Sequence, residues 1–310
     1  MKALVTGGAG FIGSHVVERL LANGFEVNCL DSFDPYYDPA IKRENISSFL
    51  ASPQFTLIEG DINDKMILQN AIEGCDFVFH QAAQAGVRIS VENPMKPHVT
   101  NASGTLSLLE IASDTGVKKM INASSSSIYG MVKYLPFDEE HPTLPISPYG
   151  VSKLAAEHYC RVFSDLFGLK TVSLRYFTVY GPKMRPDLAI SIFTRAAMQN
   201  NPIQIFGDGT KTRDFTYIDD IVEANMLAMN KGQGEYNIGG GHHISINELA
   251  NAIITANGSS SPIEYYPSVK GDAEHTFANT AKAEKELGWK VKTPILEGLQ
   301  RYATWLRNYQ

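Results

Sequence analysis

Short apolar runs and helical stripes alternate along most of this chain. KALVT, EVNCLD, FTLIEG, DFVFHQ, KKMINAS and KTVSLRYF are nearly unbroken apolar runs, as expected of strands buried on both faces. Between the first two, FIGSHVVERLLANG carries apolar side chains at helical spacing. Repeated strand-then-helix units require crossover connections, so they specify α/β architecture with a doubly wound parallel sheet and helices on both faces. Beyond Pro182 the pattern loosens. PDLAISIFTRAAMQNN reads as a helix and the glycine-rich IFGDGTKTRDF as a hairpin or turn, opening a smaller α/β lobe. YIDDIVEANMLAMNKG restores an amphipathic helix, and GEYNIGGG reads as a strand returning to the main sheet. The two lobes are therefore expected to interleave, with 1–175 rejoined by about 216–240 in one and 176–310 mainly in the other. NGSSSP at 257–262 reads as a surface loop.

Composition narrows the function. The 310 residues are 44% hydrophobic and 19% charged, with a formal net charge of −6. That balance argues against a nucleic-acid or anionic-membrane partner, whose binding rests on clustered Lys and Arg. No window approaches the roughly 20 apolar residues of a membrane span. The three cysteines, Cys29, Cys75 and Cys160, are scattered. They suggest neither a disulfide framework nor a metal site, and point to the cytoplasm.

Gly8, Gly10 and Gly13 satisfy GxGxxG directly after the first strand and at the start of the first helix, and Gly7 adds GxxGxxG spacing. In that context the loop is a dinucleotide cradle of a Rossmann-type sheet, because bare backbone can approach a pyrophosphate resting on the helix N-terminus. Asp31 closes the second strand 18 residues after Gly13, where a carboxylate accepts bonds from the adenine-ribose hydroxyls and repels a 2′-phosphate. The expected cofactor is NAD. Asp61 reads either as a contact for the adenine edge or as an N-cap of the next helix.

Tyr149 and Lys153 in SPYGVSK stand four apart, one turn from each other on a helix. An adjacent ammonium and a positive nicotinamide would favour the phenolate and make Tyr149 a usable proton acceptor; the other reading of this spacing is an exposed helix face. Upstream, Ser124 to Ser127 form a hydroxyl run at the carboxyl end of an apolar strand, the edge at which open α/β sheets bind ligands.

With TGGAGFIGSH, SSSSIYG, PYGVSK and RYFTVYGP in order, the chain resembles, nearly end to end, the extended short-chain dehydrogenase/reductases that act as nucleotide-sugar 4-epimerases. DSFDPYYDPAIKREN at 31–45, AGVRISVENP at 85–94 and RYFTVYGPKMRPD at 175–187 are similar to the UDP-glucuronate 4-epimerases. UDP-galactose 4-epimerases usually carry asparagine at the position of Thr178. Decarboxylating relatives and 4,6-dehydratases usually carry an acid in the stretch matching SSSSIYG, which here has none.

The resemblance implies Ser125, Tyr149 and Lys153 as catalytic residues. It implies Gly7, Gly10, Phe11, Ile12, Gly13, Asp31, Lys42, Asp61, Ile62, Ala82, Ala83, Asn101 and Tyr176 as NAD-lining positions. Arg213 and Asp272 fit positions that grip the diphosphate and its nucleoside, although Arg213 could instead pair with Asp214 or Asp219. Helices near 101–116 and 147–168 carry wide apolar stripes, which in the family pair as a four-helix bundle between two subunits, so a homodimer is expected.

The implied reaction oxidises sugar C4 reversibly, using a tightly held NAD regenerated in each turnover. A glucuronate would pass through a β-keto acid that loses CO2 readily unless its carboxylate is held in one rotation. Ser126, Ser127 and Thr178 are hydroxyl donors suited to that task. Arg185 offers a fork that suits a carboxylate or a phosphate, or a surface pairing with Asp187, and Arg88 shares the ambiguity. The competing expectations are a UDP-glucose or UDP-N-acetylglucosamine 4-epimerase and a non-catalytic NAD-sensing protein.

Overall fold

The computed structural model describes residues 1–267 and 274–309. Seven parallel strands form the central sheet in the order β11-β6-β5-β4-β1-β2-β3. They are β1 (Lys2–Thr6), β2 (Glu26–Asp31), β3 (Phe55–Glu59), β4 (Phe77–His80), β5 (Lys119–Ser125), β6 (Thr171–Tyr176) and β11 (Gly234–Ile238). This is the doubly wound Rossmann arrangement expected from the alternation of apolar runs.

Each strand serves two cores because successive side chains point to opposite faces. Val5, Cys29, Phe79 and Ile121 pack with Val16, Val17 and Leu20 of α1 (Phe11–Ala22) and with Ile221 and Ala224 of α9 (Ile218–Asn230). Their neighbours Leu4, Leu30, Val78 and Met120 pack with α3 (Lys65–Ile72), α6 (Gly104–Asp114) and α7 (Pro148–Phe167). Two-sided burial explains why the strands read as continuous apolar runs.

The remaining helices are α2 (Pro39–Ile46), the short α4 (Val87–Glu92) and α5 (Met95–Pro97), α8 (Ala189–Met198), α10 (Ile246–Asn257) and α11 (Ile295–Tyr309). Around α8 and α10 lie three small two-stranded sheets: β7 (Thr178–Tyr180) with β10 (Phe215–Tyr217), β8 (Ile203–Phe206) with β13 (Ile263–Tyr266), and β9 (Thr212–Arg213) with β12 (Ile244–Ser245). The segment IFGDGTKTRDF is thus a turn but not a hairpin. β8 pairs in parallel with β13 and β9 antiparallel with β12, because the partners lie beyond α9 and at either end of α10. GEYNIGGG does return to the main sheet, as β11 beside β6.

Strand order reverses between β1 and β4, and the chain leaves these strands toward one edge, where open sheets bind ligands. The glycine loop after β1, the 81–86 segment after β4 and the serine run ending β5 all emerge there.

Candidate active site

Two cavities meet at this edge. The first, about 240 Å³, runs along Gly7, Gly10, Phe11, Ile12 and Gly13, past Asp31 and Lys42, to Asp61, Ile62, Ala82, Ala83, Tyr149, Lys153 and Tyr176. Its glycines are dictated by contact. Gly7 has φ +66°, and a Cβ there would lie 2.7 Å from the Ala82 backbone; a Cβ on Gly13 would strike the Gly7 carbonyl. The bare loop ends at the N-terminus of α1, whose first-turn N–H groups favour an anion.

Asp31 is buried and anchored from several sides. It accepts bonds from the N–H of Phe33 at 2.8 Å and of Ala9 at 3.2 Å, and pairs with Lys42 Nζ at 3.0 Å. The carboxylate thereby ties β2 to the glycine loop. Asp61 lines the same cavity but does not cap α3; that N-cap is Asp64, which accepts from Met66 and Ile67 N–H. Asn101 is not on the wall. It clamps Gln84, accepting from its N–H at 2.8 Å and donating to its carbonyl at 3.1 Å, and Gln84 lines the cavity.

Tyr149 and Lys153 lie in the first turns of α7, which starts at the N-cap Ser147 with Pro148 in the first turn. The Ser125 hydroxyl acts on the Tyr149 phenol and accepts from Ser127 N–H at 3.1 Å. Burial pushes the phenol above its ordinary value, opposed by Ser125 and by the charge of Arg185. Lys153 lies one turn further along α7. Its Nζ donates to the Ala123 carbonyl at 2.7 Å, and burial lowers the ammonium to about 8. Tyr149 and Lys153 thus stand one turn apart on α7, as their spacing predicts, and the Ala123 carbonyl holds the ammonium in place. At the far end, the Tyr176 hydroxyl accepts from Asn225 Nδ2 at 2.8 Å, and burial pushes its phenol to about 12.

The second cavity, about 580 Å³, is lined by Ser126, Ser127, Thr178, Arg88, Arg185, Lys211 and Arg213, with apolar walls that include Phe206 and Phe215. Among the described residues its lining holds four cations, Arg88, Arg185, Lys211 and Arg213, and one acid, Asp187; guanidinium and ammonium groups of this kind suit an anionic guest. Arg88 sits 6.0 Å over the Phe206 ring. Arg213 Nη1 donates to the carbonyls of Thr212 at 2.8 Å and Glu274 at 3.2 Å. Asp214 accepts instead from Gly240 and Ala278 N–H, and Asp219 faces Arg301.

Arg185 makes the anticipated pair with Asp187, Nε to Oδ1 at 3.0 Å and Nη2 to Oδ2 at 3.1 Å, and nevertheless borders both cavities. Asp272 lies outside the described residues. Sequence reasoning missed Tyr36, which borders both cavities, stacks under Arg185 at 5.3 Å and donates to Asp187 at 3.2 Å. It sits in DSFDPYYD, quoted above only as a likeness. Lys211 was also missed, and nothing local in its sequence signals it.

The first cavity therefore suits an extended dinucleotide, with Tyr149 on its wall and Tyr36 and Arg185 shared with the second cavity. Among the described residues no cluster of His, Cys, Asp and Glu could hold a metal ion, and no helix is long and apolar enough to cross a membrane.

Comparison with known proteins agrees with this layout. A family model described as GDP-mannose 4,6 dehydratase matches residues 4–302. A UDP-glucuronate 4-epimerase of Thermodesulfobacterium geofontis is 41% identical over 307 residues, covering 97% of this chain and 95% of that protein. The crystal structure of a Bacillus cereus UDP-glucuronic acid 4-epimerase with UDP-glucuronic acid and NAD superimposes with a TM-score of 0.94 at 36% identity, covering 100% of both chains. A Thermotoga maritima UDP-glucose 4-epimerase with UDP-glucose gives 0.93 at 38% identity, covering 100% of this chain and 99% of that one.

Proposed function

The chain belongs to the extended short-chain dehydrogenase/reductase family of nucleotide-sugar epimerases and dehydratases and is an NAD-dependent UDP-sugar 4-epimerase; from that premise we propose that its substrate is UDP-glucuronate and its product UDP-galacturonate. The observation that carries the choice is that Ser126, Ser127 and Thr178 all line the second cavity. Three neutral hydroxyls can brace a carboxylate without placing a negative charge against it.

In this reading the first cavity holds NAD through the Gly7 to Gly13 loop, Asp31 with Lys42, and the 81–84 segment fixed by Asn101. Bound NAD supplies the hydride acceptor and donor for sugar C4. Tyr149 takes the O4 proton and returns it, relayed by Ser125. Lys153 holds the nicotinamide ribose from its anchor on Ala123. Arg88, Lys211 and Arg213 surround the diphosphate. Ser126, Ser127 and Thr178 keep the carboxylate near the plane of the C4 carbonyl, which denies the β-keto acid the geometry for CO2 loss. Residues 1–175 with about 216–240 form the NAD domain, and 176–310 mainly the UDP-sugar domain.

UDP-glucose is the second reading, favoured by the 38% identity to the Thermotoga maritima enzyme over its whole length. Incubation with each nucleotide sugar, followed by proton NMR of the products, decides between them. Conversion of UDP-glucose at a higher kcat/KM than UDP-glucuronate would overturn the first reading.

A homodimer is part of this proposal. Val151, Tyr159, Val162 and Leu166 leave an exposed apolar stripe along α7, and a second copy pairing its α6 and α7 would cover it. A monomeric mass by sedimentation at micromolar concentration would refute it. The three free, buried cysteines fit a reducing cytoplasm.

A further inference from the structure

The serine run presents four hydroxyls in succession; Ser125 ends β5 two residues after Ala123, whose carbonyl holds Lys153, and its hydroxyl favours the Tyr149 phenolate. Its neighbour Ser124 is instead held by α7. Ser124 Oγ donates to Glu157 Oε2 at 2.7 Å. Glu157 stands on α7 one turn beyond Lys153 and two beyond Tyr149, and is 1% exposed. Arg175 grips it from β6, Nη2 to Oε1 at 2.6 Å and Nε to Oε2 at 3.1 Å, from the register position opposite Ser124. Arg175 Nη1 continues to the Tyr129 hydroxyl at 2.9 Å and the Glu139 carbonyl at 3.1 Å, and Tyr129 donates to Asn237 Oδ1 of β11 at 2.6 Å. Every side chain in this chain of contacts is buried.

A buried ion pair is poorly explained by stability, since well-packed apolar residues of similar volume often serve as well or better. What the charged pair adds is a directional link of fixed length. Here the link joins α7, which carries Tyr149 and Lys153, to the end of β5, which carries Ala123 and Ser125. We propose that Glu157, held by Arg175, is a positioning residue that engages Ser124 and so leaves Ser125 as the hydroxyl presented to Tyr149.

The inference rests on the epimerase reading for its role in turnover, so its test has a readout independent of activity. The double variant Glu157→Leu with Arg175→Met removes the pair without stranding a buried charge. We expect it to melt near the parent temperature, with kcat for UDP-glucuronate down roughly tenfold or more, the scale of a small misplacement of reacting groups, and KM within about twofold. The Tyr149 phenol, isolated by ultraviolet difference titration against the same protein carrying Tyr149→Phe, should titrate at higher pH because Ser125 no longer supports the phenolate. A folded double variant with kcat within about twofold of the parent and an unmoved phenol overturns the inference. If the double variant does not fold, Ser124→Ala, which cuts only the serine end of the link, must show the same phenol shift. A parent protein inactive on both UDP-glucuronate and UDP-glucose would sink the epimerase reading instead, and the titration would still decide this one.

Discussion

Lys153 Nζ donates to the carbonyl of Ala123 at 2.7 Å, two residues before Ser125. Helix α7 and strand β5 are thus tied at the level of the reacting groups, and the ammonium reaches about 8 through burial. Its charge is complete below that value and is lost as pH rises through it. The alkaline limb of kcat should therefore fall near pH 8. In Lys153→Arg, whose guanidinium stays charged, that limb should disappear whatever the loss in absolute rate. A limb unmoved in the arginine variant would assign it to another group.

Tyr149→Phe removes the proton acceptor while leaving Ser125 and the glycine loop in place. General acid–base catalysis contributes about 10²- to 10⁴-fold, and kcat should fall by that order. NAD should co-purify at the parent stoichiometry, measured after acid release. Near-parent turnover would reject the assignment.

Thr178→Asn exchanges one hydroxyl on the carboxylate wall for a bulkier amide. A hydrogen bond to a charged group is worth about 1.5–3 kcal/mol. The ratio of kcat/KM for UDP-glucuronate over UDP-glucose should drop by about tenfold or more on that scale, measured by competition between the two sugars. An unchanged ratio removes Thr178 from substrate choice. Much of this wall was readable in the sequence, because Ser126, Ser127 and Thr178 sit at the ends of apolar runs. Of the cations beside it, Arg88, Arg185 and Arg213 were also marked in the sequence, whereas nothing in the residues next to Lys211 distinguishes it from a surface charge.

Gly13→Ala places a methyl against the Gly7 carbonyl. The loop must open to accept it, and the purified variant should carry little NAD while its far-ultraviolet circular dichroism stays close to the parent. Full NAD content would show that the loop absorbs the methyl.

His80 lies between the hydroxyls of Thr6 at 2.7 Å and Thr105 at 2.8 Å. Burial, and secondarily the charge of Lys153, lowers it to about 3 from 6.5. The unfolded chain then binds a proton that the folded chain refuses. The stabilisation is complete above pH 6.5 and declines as pH falls toward about 3, by about 1.4 kcal/mol per pH unit. Urea unfolding at a series of pH values should show His80→Gln losing that one-proton share of the slope between about pH 6 and 4. Parallel pH dependences in parent and variant would show that the ring is protonated in the folded state.

The sheet, the glycine loop and the Tyr149/Lys153 pair were legible in the sequence because each depends on local spacing: apolar runs, a tight turn opening a helix, and the pitch of one helical turn. The same locality falls short where partners are distant. IFGDGTKTRDF reads as a hairpin or turn; it is a turn, and its strands pair with β12 and β13, which no neighbouring residue announces. Only the tertiary structure set Tyr36 under Arg185 and against Asp187, aimed Lys153 at a backbone carbonyl and buried Glu157 against Arg175. These contacts form where strand ends and loops converge at the carboxyl edge of the sheet. Their geometry follows from the crossovers that bring distant segments together, and sequence periodicity carries no record of which residues will face one another there.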